Sequence, residues 1–486
     1  MAMGGVQIGM RMTWRKRALL CGAAVALSIV PVAQAAAETL AEAMAMAYDG
    51  NPNLKAARAQ LRATDENVAI AASGWRPTLS VSGSVFRQDS VSTTPGVTAG
   101  AGTVVGLGTV NRTNEQVLAQ VTQPIFRGFK TVAGTSQAKN QVYAQRARLE
   151  QTEAQVLLQT ATAYFDVLQA LAVVELQQSQ VQVLNRNLEA TNDRFRVGEI
   201  TRTDVAQSEA SLASAKAALV QAEGDLQRAR SAYLNVVGQA AGTLAAPELP
   251  KNLPKSLDDA VSVAIKDNPN YVAADFTAKA QEYSITVIQG DLLPSAALVG
   301  QLSKTWNATV PGAETRLLAG GAQVTVPLYQ AGAEWARLRQ AKDTYGQLVL
   351  LADQARLDAR NSATTSWESL QAFTASLDSF RAAISANEIS LEGVQREAEV
   401  GSRTVLDVLN AEQLLLNSRV QLVRSQHDQL VAAFQLLASV GKLTAGDLGL
   451  GVAVYDPTKH YSSVSWQPIG GNSDTKNDLK TRKPGT

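Results

Sequence analysis

The sequence predicts a mixed α and β membrane protein built as an internal twofold repeat, in which long antiparallel coiled-coil helices carry four strands. Three observations predict it. First, landmarks recur: Asn51-Pro52 returns as Asn268-Pro269 and Pro77 as Pro294, each 217 residues later. Pro124 returns as Pro327, Val197-Gly198 as Val400-Gly401, Asp204 as Asp407 and Gly238 as Gly441, each 203 residues later. The first copy is therefore 14 residues longer, between Pro77 and Pro124. A repeat of this size sets the architecture. Second, each copy holds a segment whose apolar period is two between segments of helical period. Third, no proline occurs between Pro124 and Pro247 or between Pro327 and Pro457. Proline breaks helix interiors, so these spans permit very long helices.

Composition agrees with that class. The 486 residues are 45% hydrophobic but only 5% aromatic, and Ala, Gln, Leu and Val are abundant. Such a mixture favours helices that pack closely through small residues. The net charge is +1, with no long basic run, which argues against nucleic acid as a partner, since phosphates demand clustered Lys and Arg.

Residues 1–37 have the layout of a secretory signal peptide: Arg11, Arg15, Lys16 and Arg17, the apolar run from Ala18 to Val30, then Pro31 and the small stretch Ala33 to Ala37. Cys21, the one cysteine, falls inside it; Leu20 before it is too bulky for a lipid attachment site. No later segment has the roughly 18 uninterrupted apolar residues of a membrane helix, so the mature chain is expected to lack a helical anchor.

The first repeat is placed at 38–250 and the second at 251–455, followed by a polar tail, 456–486. Residues 38–73 read as a helix capped by Thr39 and divided at Asn51-Pro52, and 256–290 repeat it with Ser256 as cap. Leu79, Val81, Gly83 and Val85 alternate with Ser80, Ser82 and Ser84, and Val117, Ala119 and Val121 alternate with Gln120 and Thr122, predicting a hairpin within 77–124. Its counterpart within 294–327 uses Ala296, Leu298, Gly300 and Leu302, then Leu318, Gly320, Ala322, Val324 and Val326. Gly96 to Asn111 reads as a flexible loop that absorbs the extra residues. Its Gly106-Leu107-Gly108 precedes a strand rather than a helix, unlike a phosphate cradle.

One helix from about Lys130 to Arg196 would be roughly 100 Å long. Val167, Val174, Val181, Leu188 and Phe195 mark its heptads. Beyond Gly198 come Leu212, Leu219, Leu226 and Tyr233, interleaved with Ala215, Ala222, Ala229 and Val236. The second copy has Leu415, Leu422 and Leu436, interleaved with Ser418, Ser425, Ala432 and Ser439. Large residues alternating with small ones suit tightly packed antiparallel helices. The tail from Gly470, rich in Asn, Asp, Lys and Gly, reads as disordered.

Four strands cannot close a barrel, because small membrane barrels use about eight. If these strands enter a membrane, several chains must share one barrel. An outer membrane is the natural destination of an exported chain, since only helices and closed barrels satisfy backbone polar groups in lipid.

The doubled plan, the Asn-Pro helices, Gln123-Pro124-Ile125-Phe126, and the run Val400-Gly401-Ser402-Arg403-Thr404-Val405-Leu406-Asp407-Val408-Leu409 resemble the TolC family of outer membrane export channels, to about residue 466. Tyr455-Asp456-Pro457, His460-Tyr461 and Trp466 are similar to the branch serving type I secretion. The resemblance implies a homotrimer in the outer membrane of a Gram-negative bacterium. Its twelve-stranded barrel would continue as a helical tunnel in the periplasm. A periplasmic adaptor and an inner-membrane ABC or proton-driven transporter would open it from below. No enzyme activity and no cofactor are implied. Multidrug efflux is the alternative cargo class. A periplasmic coiled-coil adaptor or scaffold is the alternative of another class, although an adaptor would need a lipoyl-like β-domain split by a single helical hairpin.

Gly198 and Gly401 are expected to break the long helices, with Thr201, Thr203 and Asp204, or Thr404 and Asp407, restarting them. Asp204 and Asp407 read simply as caps or first-turn charges. The resemblance adds that Asp407 would ring the closed periplasmic entrance and that Arg403 would latch its helix pair to a neighbouring pair through Thr203 and Asp204. Two positions depart from the family pattern. A second acidic ring falls on Asn410, and a supporting tyrosine is replaced by Ala398, which implies a weaker cation block and a looser latch. His427 and His460, the only histidines, are too far apart to suggest a metal cluster, and no Gly-x-Ser-x-Gly nucleophile motif occurs.

Overall fold

The computed structural model describes residues 37–96, 104–307 and 312–471. The expected leader and the end of the polar tail lie outside them. Helix α1 (Leu40–Gly50) starts with a capping box, in which Thr39 and Glu42 satisfy each other's backbone N–H groups. It stops at Asn51, whose side chain caps α2 (Pro52–Ala72), and Pro52 occupies the first helical turn, where its missing N–H costs nothing.

A 3-10 turn, Ser73–Trp75, leads into β1 (Thr78–Gly96), which pairs antiparallel with β2 (Val104–Arg127). The described part of the loop expected at Gly96 to Asn111 is strand, since Gly96 pairs with Val104 and Asp89 with Asn111; residues 97–103 of that expectation lie outside the described residues. Val, Thr and Leu in that stretch favour extended backbone, and the partner strand supplies hydrogen bonds that glycine alone would not need. The extra residues of the first hairpin are therefore spent on a longer ladder. Helix α3 (Lys130–Arg196) follows a tight left-handed corner at Gly128 and Phe129, where a Cβ on Gly128 would strike the Gly290 carbonyl oxygen at 2.5 Å.

Helix α4 (Arg202–Val237) ends at Gly238, and α5 (Leu257–Asp267) and α6 (Pro269–Gln289) reuse the Asn-Pro junction with Asn268 as cap. Strands β3 (Ser295–Trp306) and β4 (Glu314–Thr325) extend the sheet in the order β1-β2-β3-β4. Helices α7 (Ala333–Glu399), α8 (Val405–Ser439) and the short α9 (Pro457–Val464) complete the chain. Both α3 and α7 contain 67 residues.

The sheet has two unlike faces. Leu79, Val121, Gly300 and Gly320 form one cross-strand row and Val81, Ala119, Leu302 and Leu318 another on the same face. Ser84, Gln116, Thr305 and Thr315 form a row on the opposite face. The large apolar members Leu79, Val81, Leu302 and Leu318 are exposed within the chain. Among the described residues, the outer edges of β1 and β4 have no strand partner. A bulge between Pro124 and Phe126 shifts the β2–β3 register where proline lacks a ladder donor.

The main core lies where α1, α3, α4 and α8 meet, around Met44, Leu157, Tyr164, Phe165, Tyr233, Phe434 and Leu437. Helix α3 contains a stretch long and apolar enough to cross a membrane, but Leu157, Tyr164, Phe165 and Val167 from it fill this core. The heptad residues Val167, Val174, Leu212, Leu226, Leu415 and Leu436 are buried, whereas Phe195 at the end of α3 is exposed. The seam ends before the helix does, because the chain reverses two residues later. Small seam residues permit direct polar crossings, such as Ser376–Ser425 at 2.7 Å and Asn387–Ser418 at 2.8 Å between α7 and α8.

His427 of α8 bridges to α3: its Nε2 lies 2.8 Å from the Asp166 carboxylate, and its Nδ1 lies 2.9 Å from Asp428. Burial pushes its pKa down, but the hydrogen-bonded carboxylates of Asp166 and Asp428 together push it up and prevail. A raised histidine pKa contributes stability that is complete below the ordinary value of 6.5 and is lost as pH rises through the folded value. His427→Gln is thus expected to flatten the pH dependence of thermal stability above about pH 6.5. An unchanged slope would remove the bridge as its source.

Candidate functional site

The two turns between long helices are the same structure built twice. At the first, Glu199 N–H donates to the Arg194 carbonyl at 3.0 Å and Gly198 N–H to that of Phe195 at 3.0 Å. At the second, Ser402 N–H donates to the Glu397 carbonyl at 2.9 Å and Gly401 N–H to that of Ala398 at 3.2 Å. These bonds satisfy the last helical carbonyls in the manner of a Schellman motif, which requires a left-handed residue; Gly198 and Gly401 both sit at φ 79°.

Each chain reversal is restarted by a capping box. Thr201 Oγ1 accepts from Asp204 N–H, while Thr201 N–H donates to the Asp204 carboxylate at 2.9 Å. Thr404 and Asp407 repeat this, with N–H to carboxylate at 3.0 Å and hydroxyl to carboxylate at 2.8 Å. The hydroxyl and N–H of Thr201 hold the Asp204 carboxyl below its ordinary pKa; Thr404 does the same for Asp407, led by its backbone N–H. Both groups remain anions at neutral pH.

The turns differ in their ion pairs. Arg194, before the first glycine, donates to Glu199 after it at 2.9 Å. In the second turn the order is reversed: Arg403, after the glycine, donates through Nε to Glu397 before it at 2.8 Å. Within one chain, therefore, Arg403 meets Glu397 rather than Thr203 or Asp204. Glu397, Arg194 and Glu199 were not singled out in the sequence; opposite charges five or six residues apart across a helix-breaking glycine are the signal that could have found them.

Asn410 is exposed one turn beyond Asp407, on a groove of about 540 Å³ whose polar lining includes Gln177, Gln180, Gln207, Ser211 and Gln413. Ala398 is buried beside a smaller groove of about 240 Å³ shared with Asn187, Thr191, Arg194 and Val408. A small side chain there leaves the ends of α3 and α7 without a bulky wedge. Above these turns Leu184, Leu212, Ala215 and Leu409 pack α3, α4 and α8 together. Among the described residues, no cluster of His, Cys, Asp and Glu is placed to hold a metal ion.

Long paired helices with capped polar turns at one end, and an open two-faced sheet at the other, define an outer membrane channel protein of mixed α and β structure. The chain belongs to the outer membrane efflux protein family, whose pattern matches residues 43–239 and 260–442. It is 36% identical to the outer membrane efflux protein BepC of Brucella suis biovar 1 over 450 residues, 92% of this chain and 95% of that one. The outer membrane protein TolC of Escherichia coli K12 is 25% identical over 428 residues, 85% of this chain and 84% of its own. The fold is similar to that of the Campylobacter jejuni CmeC outer membrane channel, with a TM-score of 0.73 at 16% identity over 88% of this chain and 89% of that one. The protein is accordingly an outer membrane protein whose helices extend into the periplasm.

Proposed function

We propose that the mature chain forms a homotrimer that acts as a passive export duct, opened at its periplasmic end by an adaptor and an inner-membrane transporter. The observation that carries this reading is the sheet: an apolar face exposed along four strands, with both outer edges unpaired among the described residues. Unpaired edges are intolerable in lipid, so the strands need neighbours that close the barrel. Three copies supply twelve strands. The repeats 38–250 and 251–455, once a leader through residue 37 is removed, would then alternate around a pseudo-sixfold tube, with the described part of the tail 456–486, through residue 471, outside it.

In this assembly Asp407 rings the periplasmic entrance, with Asn410 one turn beyond, and Gly198 and Gly401 set the chain reversals. Arg403 exchanges its Glu397 partner for Thr203 and Asp204 of an adjoining helix pair when the entrance closes. No group in the turns is arranged for chemistry, and energy comes from the transporter. Type I protein secretion is the first reading of the cargo, supported by the order of Tyr455-Asp456-Pro457, His460-Tyr461 and Trp466. Efflux of small toxic compounds is the second, favoured by the 36% identity to a protein named for efflux. Deleting the gene is expected to remove a secreted protein from the medium. Sensitivity to toxic compounds with unchanged secretion would establish the second reading in its place, and the absence of both phenotypes would sink the duct.

A further inference from the structure

The C-terminal segment does not hang free of the helices. Tyr455 N–H donates to Tyr48 Oη at 3.0 Å, His460 Nδ1 lies 3.1 Å from the Asp65 carboxylate, and Arg76 donates to the carbonyls of Trp466 and Gln467 at 3.0 and 3.2 Å. As the segment advances, its partners advance from Tyr48 in α1 through Asp65 in α2 to Arg76 after the 3-10 turn, so it runs as a strap beside α2 toward Thr78, where β1 begins. Arg146 adds a hydrogen bond to the Pro457 carbonyl at 3.5 Å and lies over the Tyr461 ring at 5.4 Å. Asp65 beneath the strap and Val464 within it are buried.

Its far end is presented outward. Trp466 is 74% exposed, Ile469 88% and Trp75, adjacent to Arg76, 47%. Arg76 grips backbone carbonyls, which fixes the path of the chain, and its guanidinium lies 5.8 Å from the Trp466 ring centroid. The apolar row of the sheet starts at Leu79, three residues after Arg76, and Gln123 of β2 donates to the Trp75 carbonyl at 2.9 Å, so Trp75 and the chain end held by Arg76 lie beside the first rungs of the sheet. Tryptophan favours that level of a membrane, where the ring is amphipathic and its N–H meets the headgroups.

We propose that the strap is an interfacial anchor, in which Arg76 holds Trp466 and Ile469 beside Trp75 so that they enter the headgroup region of the periplasmic phospholipid leaflet. The proposal rests on the reading that the strands span the membrane. It commits to lipid as the occupant because the patch adjoins the first rungs of a sheet whose apolar side chains are exposed within the chain.

The test uses full-length protein carrying Cys21→Ser and one new labelling site, Ile469→Cys or Leu79→Cys, each bearing a fluorophore. The trimer is reconstituted in vesicles of phosphatidylethanolamine and phosphatidylglycerol containing a lipid with a nitroxide near its headgroup. Both labels should be quenched by the lipid nitroxide and shielded from aqueous iodide. Adding Arg76→Ala should abolish lipid quenching at 469 and leave it intact at 79, which also reports that the variant still folds and inserts. A label at 469 open to iodide and unquenched by lipid, with 79 quenched, would overturn the anchor alone. Loss of quenching at both sites in the parent protein would overturn the membrane-spanning reading and the anchor with it. Persistent quenching at 469 in Arg76→Ala would refute the clamp.

Discussion

Single channels of Asp407→Ala are expected to lose most of their block by divalent cations, with apparent affinity for the blocking ion falling about tenfold or more. The carboxylate is held as an anion by the Thr404 N–H and hydroxyl, and in a trimer three of them would surround one axis. Asn410 adds no second ring of charge, so block in this protein should depend on Asp407 alone. A depressed carboxylate pKa keeps the charge present above the ordinary range, and block should fade only as pH drops through the folded value. Asp407→Asn separates charge from capping, since its amide oxygen can still accept from Thr404. Equal loss of block in both variants would assign it to charge, whereas unchanged block in both would sink the ring.

Arg403 provides the companion measurement. Its pair with Glu397 is half exposed, and exposed pairs contribute little to stability. If Arg403 acts only within its own turn, Arg403→Ser and Glu397→Gln should have the same conductance. The proposed latch requires Arg403→Ser to raise open-channel current while Glu397→Gln leaves it near the parent value. Identical currents in all three proteins would exclude a latch at this residue.

The largest loss of stability is expected at Tyr164. Its ring is fully buried among Met44, Phe165, Tyr233 and Phe434, and its hydroxyl lies 2.8 Å from the Glu38 carbonyl and 2.7 Å from that of Ala245. With one proton it donates to one of these at a time. Desolvation pushes its pKa up to about 12, so it remains a donor across the working range of pH. The same carbonyl of Glu38 accepts from Ala245 N–H at 3.0 Å, and Glu38 N–H donates to Thr243 at 2.8 Å. The side chain thus underlies the point where the segment leading into α1 is stitched to the linker after α4.

Tyr164→Ala should cost about 3–5 kcal/mol, the usual loss when a large buried aromatic is truncated. Tyr164→Phe keeps the ring and should cost only about 1 kcal/mol, because the Glu38 carbonyl retains its N–H donor. Many large proteins unfold irreversibly, so the readout is the rate of heat dissociation of the proposed trimer rather than an equilibrium midpoint. Equal rates for parent, Tyr164→Phe and Tyr164→Ala would show that this core does not limit unfolding.

Much of the helical architecture was legible because its signals are local. Thr39, Asn51, Ser256 and Asn268 cap helices through bonds to neighbours within three residues, and the long proline-free spans became α3, α4, α7 and α8. Gly198 and Gly401 were readable for the same reason, since a left-handed residue at a helix end admits few alternatives to glycine. The stretch from Val104 to Asn111 misled because glycine is ambiguous alone, and only pairing with β1 decides that it is strand.

By itself, then, the sequence determined where helices begin and end, which strand faces are apolar, and that the chain reverses twice at capped glycine turns. Tertiary structure alone decided which charges meet there. Arg403 faces Glu397, Arg194 faces Glu199, His427 joins Asp166 across 261 residues, and the tail after α8 is tied back by Asp65 of α2 and by Arg76 just before β1. Caps and period are fixed by backbone geometry within a turn or two of chain. A salt bridge or a strap depends on which surfaces packing brings within about 3 Å, and one-dimensional order does not carry that distance.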